Sequence, residues 1–384
     1  MIRKLEKANY EESLQLSEYA FQYKVPQEQR ENRFEKLKEQ SIFGIFDQGI
    51  LAAKFHLIPL EVWMGEQKYS MGGIAGVATY PEFRRRGHVR NLMNFSLEQM
   101  KKENQVISML HPFSIDFYRK FGWEVFSFFE KVYLKKKDLT PLNKTEGCIR
   151  RYSKDNYPVE LETIYERYAV KQNGMLVRTK SWWKERSITD LFIAIYYDEL
   201  SEPTGYITYE VKKERLKVEE FIALNSEARF GLWNYICQHD SMVEDVELIL
   251  NPIEVLPFML KDPKVKIEKQ PYFMVRIVDV ESFLKIYLKQ ISNSTHFSLR
   301  ISDANASWNN ETFMIKGQDV VVTGKEPCEL SIEMTINALS SLVFGVHTPQ
   351  SLIDMGQLIT NNQEAVNQLK IFSQQNNPFF YDFF

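Results

Sequence analysis

The chain has 384 residues, 44% hydrophobic and 14% aromatic, a composition that packs cores and is unlike a disordered chain, at a length that suggests two or three domains. A formal charge of −3 gives no support to bulk nucleic-acid binding, which prefers a strongly basic face. Cys148, Cys237 and Cys328 are dispersed without a CxxC pair, the N-terminus lacks an apolar h-region, and no run approaches ~18 apolar residues, so the expectation is a reduced, cytoplasmic protein with no membrane span.

Residues 1–137 read as a first α/β unit. Ser13 to Glu39 has a polar helical pattern broken once by Pro26. Ile42–Phe46 and Ile50–Ile58 are short apolar runs around the hairpin signal Asp47-Gln48-Gly49. A strand pair near Glu61–Met64 and Tyr69–Thr79 leads into Tyr80-Pro81-Glu82-Phe83-Arg84-Arg85-Arg86-Gly87-His88-Val89-Arg90. Val89, Leu92, Met93, Leu97 and Met100 then recur mostly at spacings of three and four, one apolar face of a helix. Val106–Leu110 is a further strand, Phe117-Tyr118 lies on a short helix, and Lys131–Lys137 is expected to close the unit.

Residues 138–275 read as a second α/β unit introduced by the polar stretch Thr140–Gly147. Trp182-Trp183 sits on a helix, strands cover Leu191–Tyr197, Tyr206–Lys212 and Phe221–Leu224, and Leu232–His239 is helical. Residues 276–384 form a third unit, with a helix over Val280–Gln290 and strands over Phe297–Ile301, Glu311–Lys316 and Asp319–Thr323. Thr335 caps a helix ending before Gly345, and Thr348-Pro349 starts another.

The arginine–glycine loop admits three readings: a solvated turn, a nucleic-acid patch, or a phosphate cradle. A helix start offers free N–H groups and partial positive charge, and arginines stand beside it, which suits a phosphate or pyrophosphate. Gly73-Ile74-Ala75-Gly76 is not GxGxxG, and neither GKT nor GKS occurs, so dinucleotide and ATP readings fail. Six histidines without HxH or HxxxH spacing give no metal site.

Val77 to Arg90 resembles the acetyl-coenzyme A loop of GNAT N-acetyltransferases, whose pattern is Arg/Gln-x-x-Gly-x-Gly/Ala after a strand: Arg84 and Gly87 match, and Val89 stands where a small residue is usual. Phe117-Tyr118-Arg119-Lys120-Phe121-Gly122-Trp123 resembles a second GNAT feature downstream. Over nearly the full length the chain is similar to the enhanced-intracellular-survival type: two tandem GNAT-like units, the second degenerate, then a sterol-carrier-like α+β unit. In the second unit Ala228-Arg229-Phe230-Gly231 stands where the loop would be, without the arginine cluster, so no coenzyme is expected there.

The resemblance implies that acetyl-coenzyme A is the co-substrate. Val77, Ala78 and Thr79 would take its arm, Arg84, Arg85, Arg86, Gly87, His88, Val89 and Arg90 its pyrophosphate, and Phe113 and Ser114 would line its path. Tyr118 would be the general acid, since a phenol of pKa near ~10 keeps its proton at neutral pH. The aromatic tail Asn377-Pro378-Phe379-Phe380-Tyr381-Asp382-Phe383-Phe384 would enter the first active site, with the Phe384 carboxylate as general base. An α-carboxyl of pKa roughly 3.3–3.7 is a weak base unless burial raises it. Asp382, Glu124 and His56 remain rival bases, and an aromatic plug is the bland alternative. The acceptor would be a primary amine of aminoglycoside, polyamine or lysine type, and the assembly a hexamer. With no cysteine in either motif, direct transfer is favoured over an acetyl-enzyme. The competing class is a non-catalytic acyl-coenzyme A or lipid carrier.

Overall fold

A computed structural model describes residues 1–290, 296–324, 331–373 and 377–384; Cys328 lies outside them. The first unit runs through β1 (Ile2–Lys4), α1 (Tyr10–Phe21), α2 (Gln27–Leu37), β2 (Ser41–Asp47), β3 (Ile50–Met64), β4 (Gln67–Thr79), α3 (His88–Lys102), β5 (Ile107–Leu110), α4 (Ile115–Arg119) and β6 (Glu124–Val125). Local chemistry accounts for much of this. Pro26 is the N-cap residue of α2, where its missing N–H costs nothing. The β2–β3 hairpin turns on Gln48 and Gly49, both at positive φ (51° and 81°), as a two-residue loop between right-twisted strands requires. Leu92, Met93, Leu97 and Met100 of α3 are fully buried against Phe55 and Leu57 of β3.

The chain continues through β7 (Phe128–Lys135), β8 (Cys148–Tyr152), β9 (Gln172–Asn173), β10 (Phe192–Tyr197), β11 (Pro203–Lys212), β12 (Arg215–Ala223), β13 (Asp245–Leu250), β14 (Lys266–Pro271) and β15 (Met274–Ile277). The strand expected over residues 131–137 to close the first unit does not do so. β7 pairs with β13 and β14 in the second sheet, whose order is β14-β7-β13-β12-β11-β10-β8. In return β15 crosses back and lies antiparallel between β5 and β6, completing the order β1-β2-β3-β4-β5-β15-β6. All four residues of β15 are buried, as an interior strand requires. The two units are therefore interleaved by an exchange of strands.

The third unit is a five-stranded sheet in the order Asp319–Val322, Thr312–Lys316, His296–Ser302, Ser331–Thr335, Leu358–Ile359. The strand Leu358–Ile359 lies in the stretch that the sequence suggested would end in helices, and Ser331–Thr335 precedes the expected helix. Thr335 caps the helix Ile336–Val343, accepting from the Ala338 amide at 3.2 Å, and Gly345 ends it at φ 82°. Ser340 of that helix accepts from the Ile277 amide at 3.0 Å. One apolar core runs from Met71 and Ile107 through Val275 to Phe283, Phe297 and Leu339. No helix among the described residues is long and apolar enough to cross a membrane.

Where the first and third units meet, Arg276 and Asp303 form an ion pair with no solvent exposure. Arg276 also donates to the carbonyl of Phe121, and Asn309 donates to Asp303 at 2.9 Å. Breaking such a pair leaves an uncompensated buried charge, whereas replacing both partners removes it. Asp303→Leu is expected to cost about 3–5 kcal/mol in urea unfolding, and Arg276→Met/Asp303→Leu less than that single substitution.

Candidate active site

β4 and β5 pair in parallel from Met71↔Ile107 to Ile74↔Leu110, where β5 ends while β4 runs on to Thr79. Beyond Ile74 one edge of β4 is therefore open. A bulge starts the divergence: Lys54 faces Ala78 and His56 faces Ala75, so Gly76 and Val77 together oppose Phe55, with Gly76 at φ 55°. The Tyr80 amide donates to Ala52 on β3 at 3.2 Å. By the alternation of an antiparallel ladder, Val77 and Thr79 then direct their backbone groups to the open edge. Ala78 is buried, and the Thr79 hydroxyl oxygen is buried without a hydrogen-bond partner among the described residues.

The open edge leads to the start of α3. A turn at Pro81–Phe83 carries the chain into Arg84, then Arg85 at φ 63° and Gly87 at φ 80° as N-cap. No side chain caps this helix, so the first-turn amides of His88, Val89 and Arg90 have no intrahelical acceptor. Arg84, Arg85 and Arg90 are exposed, and among the described residues none makes an ion pair. Arg86 bonds Asp47 at 3.0 Å, and the same carboxylate lies 3.6 Å from His88 Nε2. The loop thus offers three free guanidinium groups and keeps a fourth against the β2–β3 turn.

Tyr118 sits on α4 across the cleft, packed edge-on against Phe113, Phe117 and Trp123. Burial pushes its phenol above the ordinary value. Ser114 caps α4, its hydroxyl accepting from the Phe117 amide at 3.3 Å, while Phe113 is largely exposed. The third unit holds the other end of α4. Asn337 donates to the carbonyls of Arg119 (3.2 Å) and Trp123 (3.0 Å), Asn305 to Lys120 (2.8 Å), and Arg276 to Phe121. Carbonyls at and just beyond the end of this short helix are thus bound by side chains remote in sequence.

The C-terminal tail lies buried between the units. Asn377–Pro378 pairs in parallel with β9. Tyr381 bonds the Phe221 carbonyl (3.2 Å) and amide (3.4 Å). Asp382 accepts from Trp182 Nε1 at 2.7 Å and Arg178 Nε at 2.9 Å, and its carbonyl accepts from Tyr272 at 2.9 Å. The Phe384 ring packs on Gly73, where a Cβ would come within 2.8 Å of it, and against Phe273, 5.0 Å between centroids. Two of the rival bases are held in pairs, Asp382 by Arg178 and Glu124 by Arg119 at 2.6 Å. Residues 228–231, where the sequence suggested a degenerate loop, are helical: Ser226–Cys237 is capped by Asn225, and Arg229 pairs with Glu254. A cavity of ≈ 540 Å³ opens beside the tail, with Arg186, Tyr272, Asp382 and Phe383 in its wall.

Sequence reasoning missed Lys54, Arg178 and Arg276. Lys54 is fully buried on β3 with its Nζ 2.6 Å from His56 Nε2, and His56 Nδ1 lies 2.9 Å from Gln40 Oε1. Gln40 accepts, so Nδ1 carries the proton and Nε2 accepts from Lys54. Burial, then the charge of Arg33, brings Lys54 down to about 7. Burial, then Lys54, Arg33 and Arg186, holds His56 well below its ordinary value. A lone lysine inside the apolar run Ile50–Ile58 was the available signal.

Three family models match the chain: an acetyltransferase (GNAT) domain over residues 1–126, a second acetyltransferase (GNAT) domain over 174–277, and a sterol carrier protein domain over 280–381. N-acetyltransferase Eis of Mycobacterium tuberculosis is 24% identical over 331 residues, covering 79% of this chain and 78% of that protein. Among solved structures, a probable N-acyltransferase from Enterococcus faecalis superposes with a TM-score of 0.89 at 25% identity, covering 100% of this chain and 99% of that one. Eis1 from Mycobacterium abscessus does so with a TM-score of 0.81 at 20% identity, covering 100% of both chains.

Lys54 gives a signed dependence of stability on pH. Its folded value, about 7, lies below the ordinary 10.5, so the unfolded chain binds the proton more readily between those limits. The penalty for burying it is complete below the folded value and fades as pH rises toward the unfolded one. Lys54→Met is therefore expected to raise the thermal midpoint clearly near pH 6 and progressively less toward pH 10, measured by calorimetry across that range.

Proposed function

We propose that this chain, an acyltransferase built from two GNAT domains and a sterol carrier domain in the manner of the Eis proteins, moves acetyl from acetyl-coenzyme A directly to a primary amine in a ternary complex. The observation that carries the reading is the cleft after Ile74 and Leu110, with an open backbone edge on one wall, an uncapped helix start at one end and Tyr118 on the other wall. An open strand edge fits the amide-rich arm of coenzyme A as an added strand, through Val77 and Thr79. The α3 amides with Arg84, Arg85 and Arg90 fit its pyrophosphate. Phe113, exposed beside Tyr118, lies on the same side of the cleft.

In this reading the amine loses a proton and attacks the thioester carbonyl, the carbon–sulfur bond breaks, and Tyr118 protonates the departing sulfur. Burial keeps the phenol protonated at neutral pH. The terminal carboxylate of Phe384 accepts the amine's proton, directly or through a water, because the anchored tail brings the chain end to the β4 face. The acceptor class, a hexameric assembly and a cytoplasmic location belong to the same reading. Acceptors of aminoglycoside, polyamine and lysine type are its candidates, and sedimentation tests the assembly.

Thiol release from acetyl-coenzyme A across a panel of amines is the direct test; tight coenzyme binding with no release for any amine counts against the reading. Tyr118→Phe is expected to lower kcat by roughly 10²-fold or more with little change in coenzyme affinity, measured by steady-state kinetics and calorimetry. Extending the chain by two glycines after Phe384 is expected to abolish turnover at an unchanged thermal midpoint. Full activity in the extended protein removes the terminal carboxylate from the mechanism.

A further inference from the structure

The first cleft owes its open edge to the bulge at Gly76 and Val77, and a single ring supports that bulge. On β3, Phe55 and Leu57 face α3, so Lys54, His56, Ile58 and Leu60 face the other side of the sheet. On that side β4 presents two glycines to two rings. Gly73 meets the Phe384 ring, with a Leu60 methyl 3.1 Å from where its Cβ would be. Further along, Gly76 meets the imidazole of His56, whose Cδ2, Nε2 and Cγ lie 2.9, 3.2 and 3.4 Å from the corresponding position. The imidazole therefore rests on the backbone itself, in the space a side chain would take. Gly76 also holds φ at 55°, a conformation that side chains rarely adopt.

This ring is pinned at both nitrogens. Nδ1 donates to Gln40 Oε1 at 2.9 Å, and Nε2 accepts from Lys54 Nζ at 2.6 Å. Gln40 is tied in turn to the end of α2, its amide donating to the Leu37 carbonyl at 3.1 Å. Lys54 is fully buried opposite Ala78, which packs with Leu16 of α1 and Leu37 of α2. With Nδ1 protonated and the Nε2 lone pair engaged, the ring has nothing left with which to take a proton from an amine, and burial holds its basicity low as well. His56 is thus removed from the rival bases, and what it contributes is a fixed position. Among the described residues Lys54 has no carboxylate partner, so its hydrogen bond to His56 is what it adds to this side of the sheet.

We propose that His56 is a positioning residue for acetyl transfer: held by Gln40 and Lys54, its ring seats the Gly76 bulge and so sets where the Val77 peptide meets the thioester end of the donor. The inference rests on the acetyl-transfer reading of the cleft. In that reading the pyrophosphate lies at the start of α3, beyond Thr79, so Val77 is the nearer of the two pairing residues to the thioester. Val77 faces the open edge only because the bulge adds a residue to β4. Without that residue the alternation of the ladder would turn its backbone groups toward β3. A ring released from either pin lets the bulge relax. A misplacement of about 1 Å at the reacting end costs on the order of 10²-fold in rate, while the pyrophosphate end still supplies affinity.

The test uses the full-length protein. Gln40→Leu removes the acceptor at Nδ1 and Lys54→Met the donor at Nε2, and both leave the donor-binding residues of the reading in place. Each is expected to lower kcat by about ten-fold or more, while affinity for coenzyme A, measured by calorimetry, changes by less than about two-fold. Gln40→Glu keeps an acceptor oxygen at Nδ1 and is expected to stay within about three-fold of the parent in kcat. Lys54→Met carries its own control for folding, because its thermal midpoint near pH 6 is expected to lie above the parent's. Unchanged kcat in either variant overturns the proposal. So does a loss of coenzyme affinity equal to the loss of kcat, or a glutamate variant no better than the leucine one. Histidine-¹⁵N NMR gives a readout independent of turnover: the His56 ring is expected to shift on addition of coenzyme A, with His239 of the second unit unmoved. Should no amine be acetylated, the transfer reading fails on its own, and this spectrum decides the seat. A His56 shift supports it, and an unmoved His56 overturns it.

Discussion

The buried carboxylate of Asp382 is the interaction that fixes the course of the C-terminal tail. It is bound by Arg178, Trp182 and Tyr165, and Arg178 also pairs with Glu220, all nearly without solvent exposure. Burial alone would favour loss of the Arg178 charge, but Asp382 and Glu220 prevail and hold it protonated well above its ordinary range. A buried charge network resists the loss of any one member, because the remaining charges are then left unpaired. Only two residues separate Asp382 from the terminal carboxylate, so the tail has little slack. The anchor's partners belong to the second unit, the tail to the third, and the cleft it reaches to the first.

The exchange of β7 and β15 makes that dependence reciprocal. Removing either unit takes an interior strand out of the other's sheet, so the boundaries near residues 137 and 275 mark sequence similarity more than separable bodies. The third unit has a comparable hold on the first. Arg276, Asn305 and Asn337 supply the donors that the five-residue α4 lacks at its C-terminal end. A helix this short has little stability of its own in water. The orientation of Tyr118 is therefore set largely by the third unit, whose tail also reaches the β4 face.

What the sequence discloses follows from the range of the interaction concerned. The Gln48-Gly49 turn, the α3 stripe, the Pro26 break and the Thr335 cap are legible because each is decided within a few residues. The arginine loop and the Tyr118 segment are legible as motifs for the same reason. The β7–β15 exchange is not, because an apolar four-residue run such as Met274–Ile277 carries no mark of which sheet it will enter. Lys54 hides differently. Inside an apolar run a lone lysine is an exception without a stated partner, and only the structure shows it buried beside His56. The Gly76 bulge depends on a register mismatch with β3, which neither strand shows alone.

The second unit explains why the tail can be held so firmly. Its strands β12 and β13 pair in parallel only from Arg215↔Asp245 to Val218↔Leu248, and β12 then runs on to Ala223 paired with β11 alone, a divergence like the one that opens the first cleft. Its helix start is sealed by Asn225, and Arg229 is committed to Glu254, so the features that suit a phosphate are missing. The open edge of the strand remains, and Tyr381 bonds both backbone groups of Phe221 there. A cleft geometry that in the first unit suits an extended arm receives in the second an extended stretch of the chain's own tail. Loss of the phosphate end and capture of the tail are two sides of one change. In the proposed reading, a second donor site would compete with the tail for this strand edge.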